Sequence, residues 1–444
     1  MHTKKIITTI LIIIVGLNVS SFANWKDTSS VLTLDHALAL AEANNTEILK
    51  SLANIKNAKA DQQQLLAAFL PSVDLSYNYS TTNDPLYAFG NKLQQGIVTQ
   101  NDFNPDLLNN PDRIDHFNSQ IKVAQPIINL DAWMAKSATN HAIKAAEYQS
   151  DYTKEHIRFI VKQTYYALQL AEEKQLVLSK ALKATEAHVA VAEDNMKQGY
   201  LKITDVLAVK VRLLDLEAKV KEAEDQIQSV SEMLNFLLGR ELKTKFTIAD
   251  NIEKVEYTNY GTLSVSNRSD VKAMHNGLEA QKLMKKSSSM KFLPRVNGFG
   301  MYNLYDSEFA SFDSNSWMVG LSLQWKIFNG GKNIGSINKS KAQLHKTELS
   351  YKEYIAKENI ELSKAIRNIE VKKSQAMSYQ LAAEQAKESM RIISERYKEG
   401  LERTSDLLAN EASYEESELK RINAIYQFNI AVFKYELLAS QSNR

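Results

Sequence analysis

Cysteine is absent from the 444 residues, which excludes disulfide frameworks, thiolate zinc sites, iron–sulfur clusters and cysteine nucleophiles together. Glycine (14) and proline (6) are scarce, about 5 % of the chain where average usage is about 12 %. Collagen-like and Pro/Gly-rich disordered classes are ruled out, and long uninterrupted elements are expected. Neither sign of charge is in excess: 54 Lys and Arg face 52 Asp and Glu, so nothing in the balance recruits nucleic acid. Catalytic signatures are missing as well. His36, His116, His141, His156, His188, His275 and His345 form no metal-ligand pair, and the chain has no HExxH, phosphate loop or GxSxG elbow. Single histidines on helices read as packing or surface residues. No enzyme, cofactor or metal is expected.

What is present begins with a leader. Lys4 and Lys5 form a positive n-region, Ile6 to Leu17 is an apolar run, and Ser21-Phe22-Ala23 puts small residues at cleavage positions, so residues 1–23 read as a signal peptide. The run is shorter than the ~20 residues that span a bilayer. Cleavage after Ala23 would remove two of the 54 cations and none of the 52 acids, leaving a formally neutral chain. Asn24 follows the cut, so a lipidated N-terminus has no cysteine acceptor.

The few breakers are unevenly placed. The prolines lie at 71, 85, 105, 111, 126 and 294, and no glycine occurs over 131–198 or 336–399. The first window alone predicts roughly 100 Å of helix, a length no ordinary globule needs. Apolar stripes at helical spacing, as in Ile157, Val161, Tyr165 and Leu168, or Leu362, Ile366 and Ile369, require such helices to pack side by side in coiled-coil fashion. Both windows stop at a glycine, Gly199 and Gly400, in the setting of a left-handed helix C-cap. Return helices then start near Thr204-Asp205 and Ser405-Asp406, with stripes such as Leu207, Val211 and Leu214, or Ile422, Tyr426 and Ile430. Shorter helices over Thr46 to Ala68 and Ser269 to Lys291 would cover the rest of each long one, and a further short helix, Leu34 to Ala43, has no second copy.

The chain is a tandem duplication. Phe69-Leu70-Pro71 meets Phe292-Leu293-Pro294, Ile127-Ile128-Asn129 meets Ile327-Phe328-Asn329, and Gly199 and Asp205 meet Gly400 and Asp406. The predicted division is a first repeat over 24–239, a linker over 240–268 and a second repeat over 269–444. Each repeat carries two predicted strands between its short and long helix, within 70–128 and 293–328. Val73 to Ser80 and Trp317 to Trp325 alternate cleanly, Ile121 to Ala124 more briefly, and Val296 to Leu304 is mixed. Strands of this length with an apolar face suit a membrane barrel, the closed sheet that satisfies every backbone group in lipid. Four strands cannot close, so several chains must each supply four, giving 8, 12 or 16. A soluble sheet packed on helices is the other reading. The first hairpin is the longer, and its Asn-rich stretch from Asn83 to Arg113 reads as an outward loop.

Leu32 to Asn45 (LTLDHALALAEANN), the paired Phe-Leu-Pro strand starts, Gln324 to Gly331 (QWKIFNGG) and the two Gly-x5-Asp turns make the mature chain resemble the TolC family of outer-membrane efflux and secretion channels. The resemblance implies a mainly α fold with a small β part: a long antiparallel coiled-coil α-barrel joined to a transmembrane β-barrel of four strands per protomer in a homotrimer. It implies contact with outer-membrane lipid, a long periplasmic extension, and residues 240–268 wrapped around the tunnel's middle. The implied partners are a periplasmic membrane-fusion adaptor and an inner-membrane transporter of the RND, ABC or MFS type. The chain would then be the passive exit duct of a tripartite efflux system.

Matched to the family's tip motifs, Asp406 is the implied carboxylate of a pore-constricting ring, and Tyr397 and Asp205 are partners tying neighbouring coils. Gly199, Thr204, Gly400, Leu401 and Thr404 fall in the implied adaptor-docking turns. Glu402 stands where the family carries a tip arginine, and Ala409 replaces a second ring aspartate. Read from the residues alone, Asp205 and Asp406, like Thr204 and Ser405, are helix N-cap residues, and the glycines are turn-makers; the two sets of roles can coexist. Two other functions stay open: a type I protein-secretion duct of the same fold, and a pore-less periplasmic coiled coil with a structural or adhesive role.

Overall fold

The computed structural model describes residues 31–248, 252–257 and 265–439. The expected signal peptide lies outside these residues. In chain order the elements are β1 (Val31–Leu32), α1 (Leu34–Asn44), α2 (Thr46–Leu66), β2 (Ser72–Thr82), α3 (Pro85–Gln95), α4 (Pro105–Asn109), β3 (Ile114–Ile128), α5 (Leu130–Lys197), α6 (Ile203–Leu237), β4 (Thr247–Ile248), α7 (Ser269–Met290), β5 (Arg295–Asp306), β6 (Ser314–Gln324), α8 (Lys332–Lys398) and α9 (Thr404–Ala439). The glycine-free windows are the two long helices, of 68 and 67 residues, so each runs for roughly 100 Å.

The helices form a row of four columns. α5 packs against α2 and α6 on one side and α7 and α9 on the other, and α8 packs against α7 and α9. In the edge column α2 and α6 lie end to end. Asn45 makes the joint: its side-chain oxygen accepts from Glu47 N and Ile48 N to cap α2, while its Nδ2 donates 2.8 Å to the Leu237 carbonyl at the end of α6. Gly239 sits beside this joint with φ of 67°, and a Cβ there would stand 2.7 Å from the Asn44 carbonyl oxygen, so both the left-handed turn and the close approach require glycine. The largest core cluster gathers at this level, with Leu38, Ile48, Val161, Tyr165, Leu168 and Leu234. The Tyr165 hydroxyl also donates to the Leu32 carbonyl, next to the parallel pairing of β1 with β4 that holds the linker to the first repeat.

Between the short and long helices of each repeat, the strands pair antiparallel in the order β2-β3-β5-β6, leaving β2 and β6 as edges. The register places Leu75, Ile121, Tyr302 and Trp317 on one face and Asn78, Asn118, Gln120 and Asn303 on the other. Gln120 Nε2 donates 2.8 Å to Asn303 Oδ1 along the polar face. The apolar face is bare, with Leu75 78 % and Trp317 74 % exposed. Among the described residues no helix is long and apolar enough to cross a membrane.

Three expectations change. β3 runs over 15 residues, well beyond the alternating Ile121 to Ala124, because its outer half, Ile114 to Gln120, is held residue for residue by backbone pairing with Ser76 to Thr82 of β2, which side-chain alternation does not reveal. The stretch from Asn83 to Arg113 is no plain loop: Asp84 and Asn104 cap two helices that begin at Pro85 and Pro105, where a missing N–H costs nothing. On α6, Val206, Val209 and Leu216 are the residues that face α5, while Leu207, Val211 and Leu214 stay exposed on the outer edge of the row.

Candidate gating site at the helical turns

Both long helices end in the same way. Gly199 (φ 82°) donates its N–H to the Met196 carbonyl and Tyr200 N to Asn195; Gly400 (φ 72°) donates to Tyr397 and Leu401 N to Arg396. This is the paired Schellman bonding that a left-handed glycine permits, and it reverses each chain within a few residues. Tyr200 and Leu401 occupy equivalent places just past the glycines, and both are exposed apolar side chains at the extreme tip.

The acids do not sit at the N-caps. Helices α6 and α9 begin at Ile203 and Thr404, so Asp205 and Asp406 are each in the third helical position, where a carboxylate still meets the free N–H groups and the positive end of the helix dipole. Asp205 uses that position, accepting from Lys202 N at 3.1 Å. Asp406 is exposed, and among the described residues its carboxylate receives only a long hydrogen bond, 3.4 Å, from Ser405 Oγ. Thr204 is exposed, whereas Thr404 is buried, with its hydroxyl 3.4 Å from the Tyr397 hydroxyl. Tyr397 is itself buried and ties α8 to the start of α9 within one protomer. Asp205 is not among its partners. Glu402 is bound by Arg396 at 2.6 Å, which closes the second turn internally.

Behind the turns lie ionisable side chains whose pairing the sequence did not mark. His188 on α5 stacks edge-on against Tyr397, with ring centroids 6.3 Å apart, and its Nδ1 is 2.7 Å from Glu411 Oε1 on α9. One helical turn further, Glu415 is buried on α9 and accepts from two residues of α6, Arg212 and, at 3.2 Å, Lys219. Asp215 completes the cluster by bonding Arg212 at 2.9 Å and Lys219 at 3.1 Å. Burial alone would lower the Lys219 pKa, but the two carboxylates outweigh it and hold the ammonium above its ordinary value. Arg212, Asp215 and Lys219 stand on one face of α6, so α6 and α9 are joined here by charge. A cavity of about 390 Å³ opens beside them, lined by Thr185, Met390, Glu411 and Tyr414 among others.

The sequence profile of the outer membrane efflux protein family matches residues 37–240 and 262–434. The chain belongs to that family. No curated protein matches it in sequence. In structure, this efflux protein is similar to a membrane protein from Pseudomonas aeruginosa, at 17 % identity with a TM-score of 0.80 over 92 % of this chain and 93 % of that one. It is similar to the Campylobacter jejuni CmeC outer membrane channel, at 16 % identity with a TM-score of 0.80 over 91 % and 85 %. The open state of the Neisseria gonorrhoeae MtrE outer membrane channel matches at 15 % identity with a TM-score of 0.75 over 91 % and 88 %.

The expected family, mainly helical fold and internal repeat therefore hold, and the efflux protein is an outer-membrane protein. Of the expected tip residues, Tyr397 and Thr404 are brought together, Gly199 and Gly400 make the turns, and Asp205 and Asp406 stay apart from them. His188, Arg212, Glu411 and Glu415 were missed. Arg212 and Glu415 are 203 positions apart, and a single sequence offers no signal that pairs them.

Proposed function

We propose that the efflux protein is the passive exit duct of a tripartite pump, assembled as a homotrimer and engaged by a periplasmic adaptor and an inner-membrane transporter of the RND, ABC or MFS type. The observation that carries this reading is the sheet: its apolar face is bare, and among the described residues both edges, β2 and β6, are unpaired. Lipid accepts only a closed sheet, so the edges must pair with other copies. Two copies would give eight strands, whose interior is filled by side chains, whereas three give 12 and leave an aqueous lumen. The exposed apolar residues of the two edge columns, Leu207, Val211 and Leu214 on α6 and Val371, Met377 and Leu381 on α8, are what neighbouring protomers would bury.

In this reading the tip is the gate. Asp406 projects from the start of α9 as the pore-ring carboxylate, Tyr397 and Asp205 brace the turns, and the exposed Gly199, Thr204, Gly400 and Leu401, with Thr404 beneath them, form the adaptor-docking surface. The described parts of the linker, 240–248, 252–257 and 265–268, belong to the belt around the tunnel's middle, and the rest of it lies outside the described residues.

The unsubstituted protein should run as an SDS-resistant trimer from the outer-membrane fraction and give unitary conductance in a planar bilayer. A monomer with no conductance would leave the pore-less coiled coil as the better reading. Three converging Asp406 carboxylates would repel one another and draw in cations or protons. Asp406→Asn is therefore expected to lower cation selectivity and raise conductance, and identical selectivity and conductance would remove Asp406 from the ring. Cargo is tested in a deletion strain: dye accumulation with an unchanged secreted-protein profile is expected, and loss of a secreted protein without dye accumulation would favour the secretion duct.

A further inference from the structure

The two hairpin ends of the sheet, farthest from the long helices, differ in kind. The β5–β6 connection is short, whereas the β2–β3 connection folds into α3 and α4. Which side of the sheet α3 occupies is decided by Gln95. Its Nε2 donates to the carbonyls of Asp115 at 2.8 Å and Asp306 at 3.1 Å, and lies 3.1 Å from His116 Nδ1. His116 shares the polar face with Asn118 and Gln120, and its ring stacks on Tyr305 at 5.5 Å. Gly96, which ends α3, lies over Ser314 of β6 on the same face. So α3 is seated on the polar face, with Gln95 and His116 buried beneath it and Ala88 fully enclosed.

The insert is also braced internally. Lys92 and Asp102 pair at 2.7 Å, Asp102 accepts from Thr99 N at the same distance, and the Phe89 and Phe103 rings meet edge-on at 5.5 Å. It is a held body, not a free loop. Leu86 and Leu93 lie seven residues apart, as Ala88 and Gln95 do, and the two pairs are about 200° apart around the helix. The seated side of α3 is therefore Ala88 and Gln95, and the side turned away from the sheet is Leu86 and Leu93, 80 % and 55 % exposed. An apolar ridge this exposed on the polar side of a sheet calls for a covering partner.

On the trimeric-barrel reading, on which this inference rests, the polar face is the lumen and the ridge points at the three-fold axis. We infer that the α3 helices of three copies meet across the axis and close the outer mouth with an apolar seal. The covering partner of each ridge is the same ridge of its neighbours. Hydrophobic constrictions exclude water and ions by dewetting, and they yield to cargo that brings its own apolar surface. The duct would then be closed at both ends at rest, by charge at the tip and by apolar contact at the mouth.

The chain has no cysteine, so single introduced thiols report cleanly. In full-length protein in intact cells, Leu93→Cys is expected to cross-link between protomers with a short bismaleimide, while Leu75→Cys on the bare outer face is not. Asn78→Cys, on the polar face below the insert, reports access from outside: adding Leu86→Ser and Leu93→Ser should raise its rate of labelling by an impermeant maleimide about tenfold, as expected for loss of a dewetted constriction. SDS-resistant trimers that show no Leu93→Cys cross-link, or an unchanged Asn78→Cys labelling rate, would overturn the seal and leave the duct standing. Absence of trimers in the unsubstituted protein would instead overturn the barrel, and the seal with it.

Discussion

Arg268→Ala is expected to lower the stability of the protein by about 3–5 kcal/mol, the cost of breaking a buried ion pair from one side. Arg268 is 1 % exposed, at the point where the linker enters α7. Its Nε and Nη2 make a forked pair with Asp270 at 3.1 and 2.5 Å, and its Nη1 donates 2.6 Å to Glu358 of α8. Burial works against the cation, but Asp270 and Glu358 more than offset this, and the Arg268 pKa is raised. The Tyr354 hydroxyl adds a fourth member, donating 2.5 Å to Asp270, and burial together with that bond pushes its pKa up, so it stays a donor. Removing the guanidinium leaves two carboxylates facing each other without a cation. The check is the thermal midpoint of the detergent-solubilised protein, followed by helical circular dichroism. Arg268→Met with Asp270→Asn and Glu358→Gln, which neutralises all three, should recover much of the loss. An unchanged midpoint for Arg268→Ala would show the cluster to be energetically idle.

The contrast between this cluster and the helices shows what a single sequence carries. Glycine-free windows, paired Phe-Leu-Pro starts and the stops at Gly199 and Gly400 are local signals, set by backbone sterics within a few residues, and the long helices end within a residue of where those signals put them. The same is true of the alternating strands, since one apolar and one polar face follow from a period of two. What stayed hidden is relational. Leu207, Val211 and Leu214 make a stripe as regular as Val206, Val209 and Leu216, and periodicity does not say which stripe meets α5 and which meets a neighbour. Likewise, Gln95 looks like any polar loop residue until α3 is set on the sheet, and His188 like a surface histidine until α9 brings Glu411 to it.

Glu415→Ala should have the largest effect on gating. Glu415 is the one α9 member of a four-charge cluster whose other members, Arg212, Asp215 and Lys219, all belong to α6, and its side chain is 6 % exposed. It therefore ties the return helix of the first repeat to that of the second, close above the turns. If the tip opens by parting these coils, the tie must break, and breaking a buried charge pair from one side costs on the order of 2–5 kcal/mol. Since 1.4 kcal/mol is a factor of about ten in an equilibrium, losing the tie from the closed state alone shifts the closed-to-open ratio by at least about tenfold. Single-channel recording should show a correspondingly higher open probability, with Glu415→Asp, which keeps the charge on a shorter arm, falling between. The alternative is that the cluster only holds the helices together in every state. In that case the thermal midpoint would fall while open probability stayed unchanged, and the gate would have to be sought among Tyr397, Thr404 and the His188–Glu411 pair instead.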